Sequence, residues 1–253
     1  MNPTFDLYPL RFRVTPRGAA SFTPNLLRGA FGSALKQLSE DDYQRFFAPS
    51  VPPGGGPSGL ADPPRPFVFR LREAHGIGAR NIGMNVFAPT TALFIRAMGH
   101  IAAFAIEAVE GIELLRLPLT ANSNPVNRLR VHFLTPTELK GADQPEFGTL
   151  LARIRDRIST LRQLYGPGAL NLDFTAFGER AARVTMTRCV LTHVATGRTS
   201  RATGQRHSLG GFTGIAEYEG DLAEFVPYLE IARWTGVGRQ TVWGKGEIAY
   251  ETL

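Results

Sequence analysis

Cysteine is nearly missing from this chain: Cys189 stands alone among 253 residues. An intrachain disulfide and a cysteine-based zinc site are therefore both excluded. Lysine is scarce too, with Lys36, Lys140 and Lys245 set against 25 arginines. No apolar run is long and clean enough for a membrane span. The most apolar stretch, 90–115, is interrupted by Arg96, His100 and Glu107. The opening ten residues have no basic stretch leading into an apolar one, so they do not read as a secretion signal. A cytoplasmic protein with no membrane partner is the expectation. No histidine pair has metal-ligand spacing with carboxylates, and no Gly-x-Ser-x-Gly elbow occurs, so neither a catalytic metal nor a cofactor is expected.

What is present is positive charge and glycine. The net charge is +6 and the sequence pI is about 9.9, which suits a polyanionic partner. Arginine offers a planar fork that matches phosphate and stacks on bases, so its dominance suits RNA; a GC-rich genome yields the same bias. Glycine concentrates near the end, in Gly-Gly-Phe-Thr-Gly (210–214) and in Trp-Thr-Gly-Val-Gly-Arg-Gln-Thr-Val-Trp-Gly-Lys-Gly (234–246). The second segment sets Gly236, Gly238, Gly244 and Gly246 among two tryptophans, Arg239 and Lys245. Such a loop allows close backbone approach, and its N–H groups can form an anion-binding concavity. A tight hairpin packed on its tryptophans is the competing reading. Two familiar phosphate loops are excluded. The spacing from Gly238 to Gly244-Lys245 is one residue too long for a Walker loop, and Thr241 occupies the third glycine position of the dinucleotide fingerprint.

Periodicity sets out two similar halves. Residues 5–14 alternate as a strand, and Thr23-Pro24 caps a helix over 24–38. That helix gathers Leu27, Phe31, Ala34, Leu35 and Leu38 on one face and Arg28, Gly32 and Lys36 on another. Gly29 and Gly32 cost it roughly 1 kcal/mol each against alanine, and the smooth face would admit a close neighbour. A Pro- and Gly-rich loop at 49–66 is followed by strands near 66–72 and 80–87, a long helix at about 90–109 and a strand at 112–117. After a boundary at 121–127 come a strand (129–134), a helix (145–165), paired strands within 180–216, a short helix from Asp221 and a final strand (241–251). The helix 145–165 carries Arg153, Arg155, Arg157 and Arg162 on what reads as a solvated face. The segment 180–216 holds Arg180, Arg183, Arg188, Arg198, Arg201 and Arg206 with no acidic residue. The expected architecture is α+β: tandem ferredoxin-like (RRM-like) domains at 1–120 and 121–253, the second ending in the glycine-rich loop.

Four motifs in order carry a family resemblance: Leu27-Arg-Gly-Ala-Phe-Gly-Ser-Ala-Leu35, Phe133-Leu-Thr-Pro-Thr-Glu-Leu-Lys140, Leu209-Gly-Gly-Phe-Thr-Gly214 and Gly236-Val-Gly-Arg-Gln-Thr-Val-Trp-Gly-Lys-Gly246. Together they resemble the CRISPR-associated repeat-RNA endoribonucleases of the RAMP superfamily over nearly the whole chain. The resemblance implies two ferredoxin-like domains and recognition of a repeat RNA, often a stem-loop. It further implies metal-independent cleavage to a 2′,3′-cyclic phosphate and retention of the product among CRISPR effector-complex subunits. Many members carry a histidine on or just after the first helix. Here Ser33 stands in that stretch and the first histidine is His75, which suggests a histidine-lacking, minor-type variant that relies on Arg, Lys or Tyr.

Metal-free RNA cleavage uses the ribose 2′-hydroxyl as nucleophile, so the enzyme must align it and stabilise charge on the phosphate. Arg28 and Lys36 are the candidates for charge stabilisation, and Tyr43 for positioning or proton transfer; surface cations and a packing tyrosine are the plainer alternatives. Candidate RNA-binding residues are Arg198, Arg201, Arg206 and His207 on a stem, and Gly236, Gly238, Arg239, Gly244, Lys245 and Gly246 near the cut. His75 lies in a Gly-rich turn within possible reach of the site, whereas His100, His132 and His193 read as packing or hydrogen-bonding residues. A non-catalytic RNA-binding subunit and a protein-facing assembly module are the competing functions.

Overall fold

The computed structural model describes residues 3–18, 23–49, 63–71, 80–121, 124–194 and 210–253, and the backbone alone at 197–199 and 206–208. Strand β1 (Thr4–Pro16) follows directly from alternation, with Leu10, Phe12 and Val14 buried and Arg11 and Arg13 outward. Helix α1 (Pro24–Leu38) begins where the Thr23 hydroxyl accepts from the Leu26 N–H. A single turn, α2 (Glu40–Asp42), leads into a wide π-type turn over Tyr43–Phe47. Strands β2 (Phe67–Arg70) and β3 (Arg80–Val86), helix α3 (Thr91–Gly99) and strands β4 (Phe104–Glu110) and β5 (Leu115–Pro118) complete the first half. The sheet order is β2-β3-β1-β4, with β5 on the first residues of β1.

The second half contains β6 (Arg128–Thr137), α4 (Phe147–Tyr165), α5 (Phe174–Ala182) and β7 (Thr185–Val194). A small ribbon, β8 (Gly197–Thr199) with β9 (Arg206–Ser208), precedes β10 (Gly211–Glu219), α6 (Val226–Thr235) and β11 (Ile248–Thr252). Its sheet runs β11-β6-β10-β7. Within each half, both antiparallel sheets follow the same order: fourth, first, third, second strand. That is the ferredoxin-like arrangement, and the chain is α+β with two such units in tandem.

Each half has its own apolar core. Phe31 is the hub of the first, with Phe67, Phe94 and Phe69 at 5.1, 5.3 and 5.7 Å between ring centroids. Phe147, Phe177 and Phe225 pack together in the second. Phe5 and Leu7 of β1, with Val68, Phe87 and Leu119, also join that second core. The first half therefore contributes apolar side chains to its neighbour, and the division at residue 120 is retained as a proposal.

Three local expectations need correction. The helix expected over 90–109 stops at Gly99, and β4 begins at Phe104. Phe104, Ala105 and Ala108 happened to extend the helical period; in the strand they pair with β1 across a bulge. The final strand starts at Ile248 rather than 241, because Thr241–Trp243 form a 3₁₀ turn. Finally, Arg180 lies on α5, which was not foreseen: Asp173 caps it by accepting from the Thr175 and Ala176 N–H groups. Arg180 and Arg188 are not part of an unopposed basic run, since they pair with Glu224 (2.6 Å) and Glu217 (3.4 Å).

Tyr218 gives a test of the second core. Its hydroxyl donates to the Pro145 carbonyl at 2.6 Å in a fully buried setting, and burial raises its pKa. Tyr218→Phe strands that carbonyl and is expected to cost about 1–2 kcal/mol, read as a lower urea midpoint at unchanged m value.

Candidate active site and nucleic-acid interface

Helix α1 presents Arg28, Gly32 and Lys36 along one face, as the spacing required. The neighbour admitted by Gly32 is Phe47: a Cβ at position 32 would overlap the Phe47 ring. Tyr43 stacks on Phe47 with centroids 5.1 Å apart and planes at 25°. The Lys36 ammonium lies 5.5 Å from the Tyr43 ring, and the Arg28 guanidinium carbon lies 4.6 Å from Phe47. Arg28 also meets Trp243 of the glycine-rich loop at 5.4 Å. Cations and rings thus form a continuous row, Lys36–Tyr43–Phe47–Arg28–Trp243, reaching from the end of α1 to the loop. The structure brings all three candidate catalytic residues together there. Glu40 pairs with Lys36 at 3.4 Å; both side chains are about half exposed, and such a pair contributes little. On the same helix Gly29 faces open space and Ser33 is exposed, leaving a low strip beside Arg28.

The loop itself is held by backbone. The Val237 N–H donates to Gly246 (2.9 Å), Arg239 to Glu138 (3.0 Å) and Gly246 to Pro136 (3.1 Å). Gly246, at φ 66°, lies so close to the Val237 carbonyl that a Cβ would collide with it, and Gly238 stands likewise against the Glu138 carbonyl. The N–H groups of Val237, Arg239 and Gly246 are thus spent on closing the loop, and Gly238 and Gly246 permit that closure. Lys245 is also engaged within the loop. Its ammonium is enclosed, donating to the Gly210 carbonyl (2.7 Å), Gln240 Oε1 (2.9 Å) and Glu138 (3.5 Å). Burial lowers its pKa against the opposing pull of Glu138. It organises the loop, and its bond to Gly210 also ties the loop to the chain just beyond β9. Arg239 pairs with Glu138 at 2.9 Å but stays 63% exposed, so it is the loop cation that faces solvent.

Behind the loop, the end of α6 is anchored from both halves. Arg70 Nη2 donates to the Arg233 and Trp234 carbonyls at 3.2 and 2.9 Å, and Asn85 Nδ2 to Trp234 at 2.8 Å. Arg157 Nε donates to Thr235 at 3.1 Å. Burial lowers Arg70 to about 10; burial, then the like charge of Arg70, lowers Arg157 to about 9. Arg155 reaches Phe174, and Arg162 reaches Gly168. Arg153 reaches the Lys140 carbonyl at 3.1 Å, so the arginines of α4 are tied to backbone carbonyls and do not form the solvated face expected of them.

The remaining candidates divide as follows. Arg198 pairs in backbone register with His207, and Thr199 with Arg206, on the β8–β9 ribbon. Arg201 and His75 lie outside the described residues. His100 bonds its own helix at Arg96, His132 meets Glu251 at 3.3 Å and His193 packs near Phe212. Sequence reasoning missed Phe47 and the structural roles of Glu138 and Gln240. A glycine midway between two helical cations was the one available signal for Phe47.

Residues 131–248 match the family model of the CRISPR-associated endoribonuclease Cas6. No curated protein matches the chain. Among solved structures, a Cas6 product complex superposes with a TM-score of 0.67 at 16% identity, covering 96% of this chain and 100% of that one. Thermus thermophilus Cas6 gives 0.64 at 15% identity, covering 99% and 100%. A partial Cas6-RT-Cas1--Cas2 complex gives 0.58 at 15% identity, covering 100% of this chain and 47% of that one. The match to the family model is thus confined to the second half of the chain, while the whole chain shares the fold of the solved Cas6 and RAMP structures. The resemblance carried by the four motifs is borne out.

Two glycines one turn apart test the geometry of α1. Gly29→Ala meets open space and is expected to be neutral or to stabilise by up to about 1 kcal/mol. Gly32→Ala must displace a buried ring and is expected to cost more than about 2 kcal/mol. Thermal unfolding of both variants reads the contrast.

Proposed function

We propose that this Cas6-type chain cuts CRISPR repeat RNA without a metal, through attack of the ribose 2′-oxygen on the adjacent phosphorus. As the 2′-hydroxyl gives up its proton to water, the bond from the 2′-oxygen to phosphorus forms, the bond from phosphorus to the 5′-oxygen breaks, and the 5′-oxygen takes up a proton. A 2′,3′-cyclic phosphate and a 5′-hydroxyl fragment result. Arg28 and Lys36 balance the charge that develops on the phosphate oxygens, a task suited to a guanidinium that stays protonated. Tyr43, stacked between Lys36 and Phe47, positions the nucleotide or gives a proton to the leaving 5′-oxygen.

The observation that carries this reading is the convergence of Arg28, Lys36 and Tyr43 in one row that ends on the glycine-rich loop. The Cas6 family match supports CRISPR repeat-RNA processing as the general activity. Arg198, Arg201 and Arg206 are proposed to hold the phosphates of a stem, and exposed Arg239 the strand near the cut, with strong salt dependence. Retention of the product and assembly with CRISPR effector subunits belong to the same proposal.

A second reading, a non-catalytic repeat-RNA-binding subunit, is favoured by the histidines: His100, His132 and His193 all have partners elsewhere, and the stretch Leu27–Leu38 on α1 contains Ser33 and no histidine. Incubation with the repeat RNA of the same genome separates the two. Cleavage is expected to persist in EDTA, to stop with a 2′-deoxy substitution immediately upstream of the cut, and to fall roughly 100-fold in Arg28→Ala. Loss of cleavage on chelation, or indifference to the 2′-deoxy substitution, refutes the mechanism. Specific binding without cutting selects the second reading.

A further inference from the structure

We infer that Trp243 is a positioning residue: with Phe47 it holds the Arg28 guanidinium in place from the glycine-rich loop. The inference rests on the catalytic reading of Arg28 given above.

An arginine on an exposed helix face samples many rotamers, and a charge that must meet a developing phosphoryl oxygen gains from being fixed beforehand. Phe47 supplies the first fixing surface, 4.6 Å from the guanidinium carbon, and Gly32 lets that ring sit against α1. The second surface comes from the far end of the chain. Trp243 closes the 3₁₀ turn Thr241–Trp243 and stands 5.4 Å from the same guanidinium carbon. Aromatic faces attract a guanidinium through the negative charge of the π-cloud and restrict its approach.

The turn that carries Trp243 is itself braced. Gln240, immediately before it, adopts a left-handed conformation at φ 61°, which a residue with a side chain holds only when its surroundings impose it. The restraint is visible: Lys245 donates to Gln240 Oε1 at 2.9 Å and to the Gly210 carbonyl at 2.7 Å. A line of support therefore runs from buried Lys245 through Gln240 and Trp243 to Arg28. This gives the loop's lysine and its second tryptophan a task that contact with RNA alone would not explain.

Two measurements test it. In single-turnover cleavage of repeat RNA, Trp243→Ala is expected to lower the rate constant 10- to 100-fold while the RNA dissociation constant changes less than about threefold. Trp243→Phe, which keeps a ring, is expected to restore the rate to within about fivefold of wild type. A merely structural role would weaken binding along with the rate and would not follow ring content. The second measurement needs no activity. Trp234 and Trp243 are the only tryptophans, so Trp234→Phe leaves Trp243 as the sole reporter. Adding Arg28→Leu is then expected to shift its emission and its quenching by acrylamide. Unchanged emission, or a Trp243→Ala protein that cuts at the wild-type rate, overturns the inference. A wild type that cuts no repeat RNA refutes the catalytic reading alone, and the emission result then decides whether Trp243 fixes Arg28.

Discussion

The last three carbonyls of α6 must be satisfied at a point where the helix ends against the other half of the molecule. Arg70 and Asn85 come from the first sheet and Arg157 from α4, and all three donate to carbonyls of residues 233–235. Cations at a helix C-terminus also complement its dipole. The next residue, Gly236, opens the glycine-rich loop, so these bonds fix where the loop starts relative to both sheets. Placing Trp243 against α1 depends on that start. Two ferredoxin-like units packed independently would have no reason to bring residues 28 and 243 together.

Charge is arranged differently on the two faces that RNA could approach. Across the open face of the second sheet, Arg188, Glu217, Arg130 and Glu251 occupy facing register positions on β7, β10, β6 and β11. Their contacts of 3.4, 2.8 and 2.6 Å make a row of alternating sign. The hydrogen bond from Arg130, above all, keeps Glu217 ionised by lowering its pKa. On this face each carboxylate is paired with an arginine, so the cations there are largely matched by anions. Along α1 the backing is aromatic: Arg28 rests on Phe47 and Trp243, and Lys36 on Tyr43, with Glu40 an exposed and easily displaced partner. Rings hold cations without cancelling their charge.

Much of this was legible in the sequence. Alternation and helical period located β1, α1 and α4, and the cap at Thr23-Pro24 fixed the start of α1. The two cations proposed to act on the phosphate, Arg28 and Lys36, were visible as i, i+8 neighbours flanking Gly32. What could not be read was which partner each polar group would find. Arg157 and Lys245 looked like surface cations because a helical wheel or loop motif contains no information about a carbonyl 78 or 35 residues away. The glycines suggested phosphate binding for a related reason: positive φ also serves a loop that closes on its own backbone, as Gly246 does against Val237. Helix α3 was overrun because apolar residues at helical spacing continued past Gly99 into a strand whose pairing partner, β1, is remote in sequence.

In the proposed reaction the scissile phosphate lies beside α1, within reach of the Arg28 guanidinium that Phe47 and Trp243 flank. The most direct measurement is a structure of the protein bound to repeat RNA carrying a 2′-deoxy nucleotide at the cut. The phosphate following that nucleotide should lie within hydrogen-bonding distance of Arg28, with Trp243 still against the guanidinium. A phosphate seated instead over the Arg188–Glu217–Arg130–Glu251 row, or anywhere remote from α1, would contradict it.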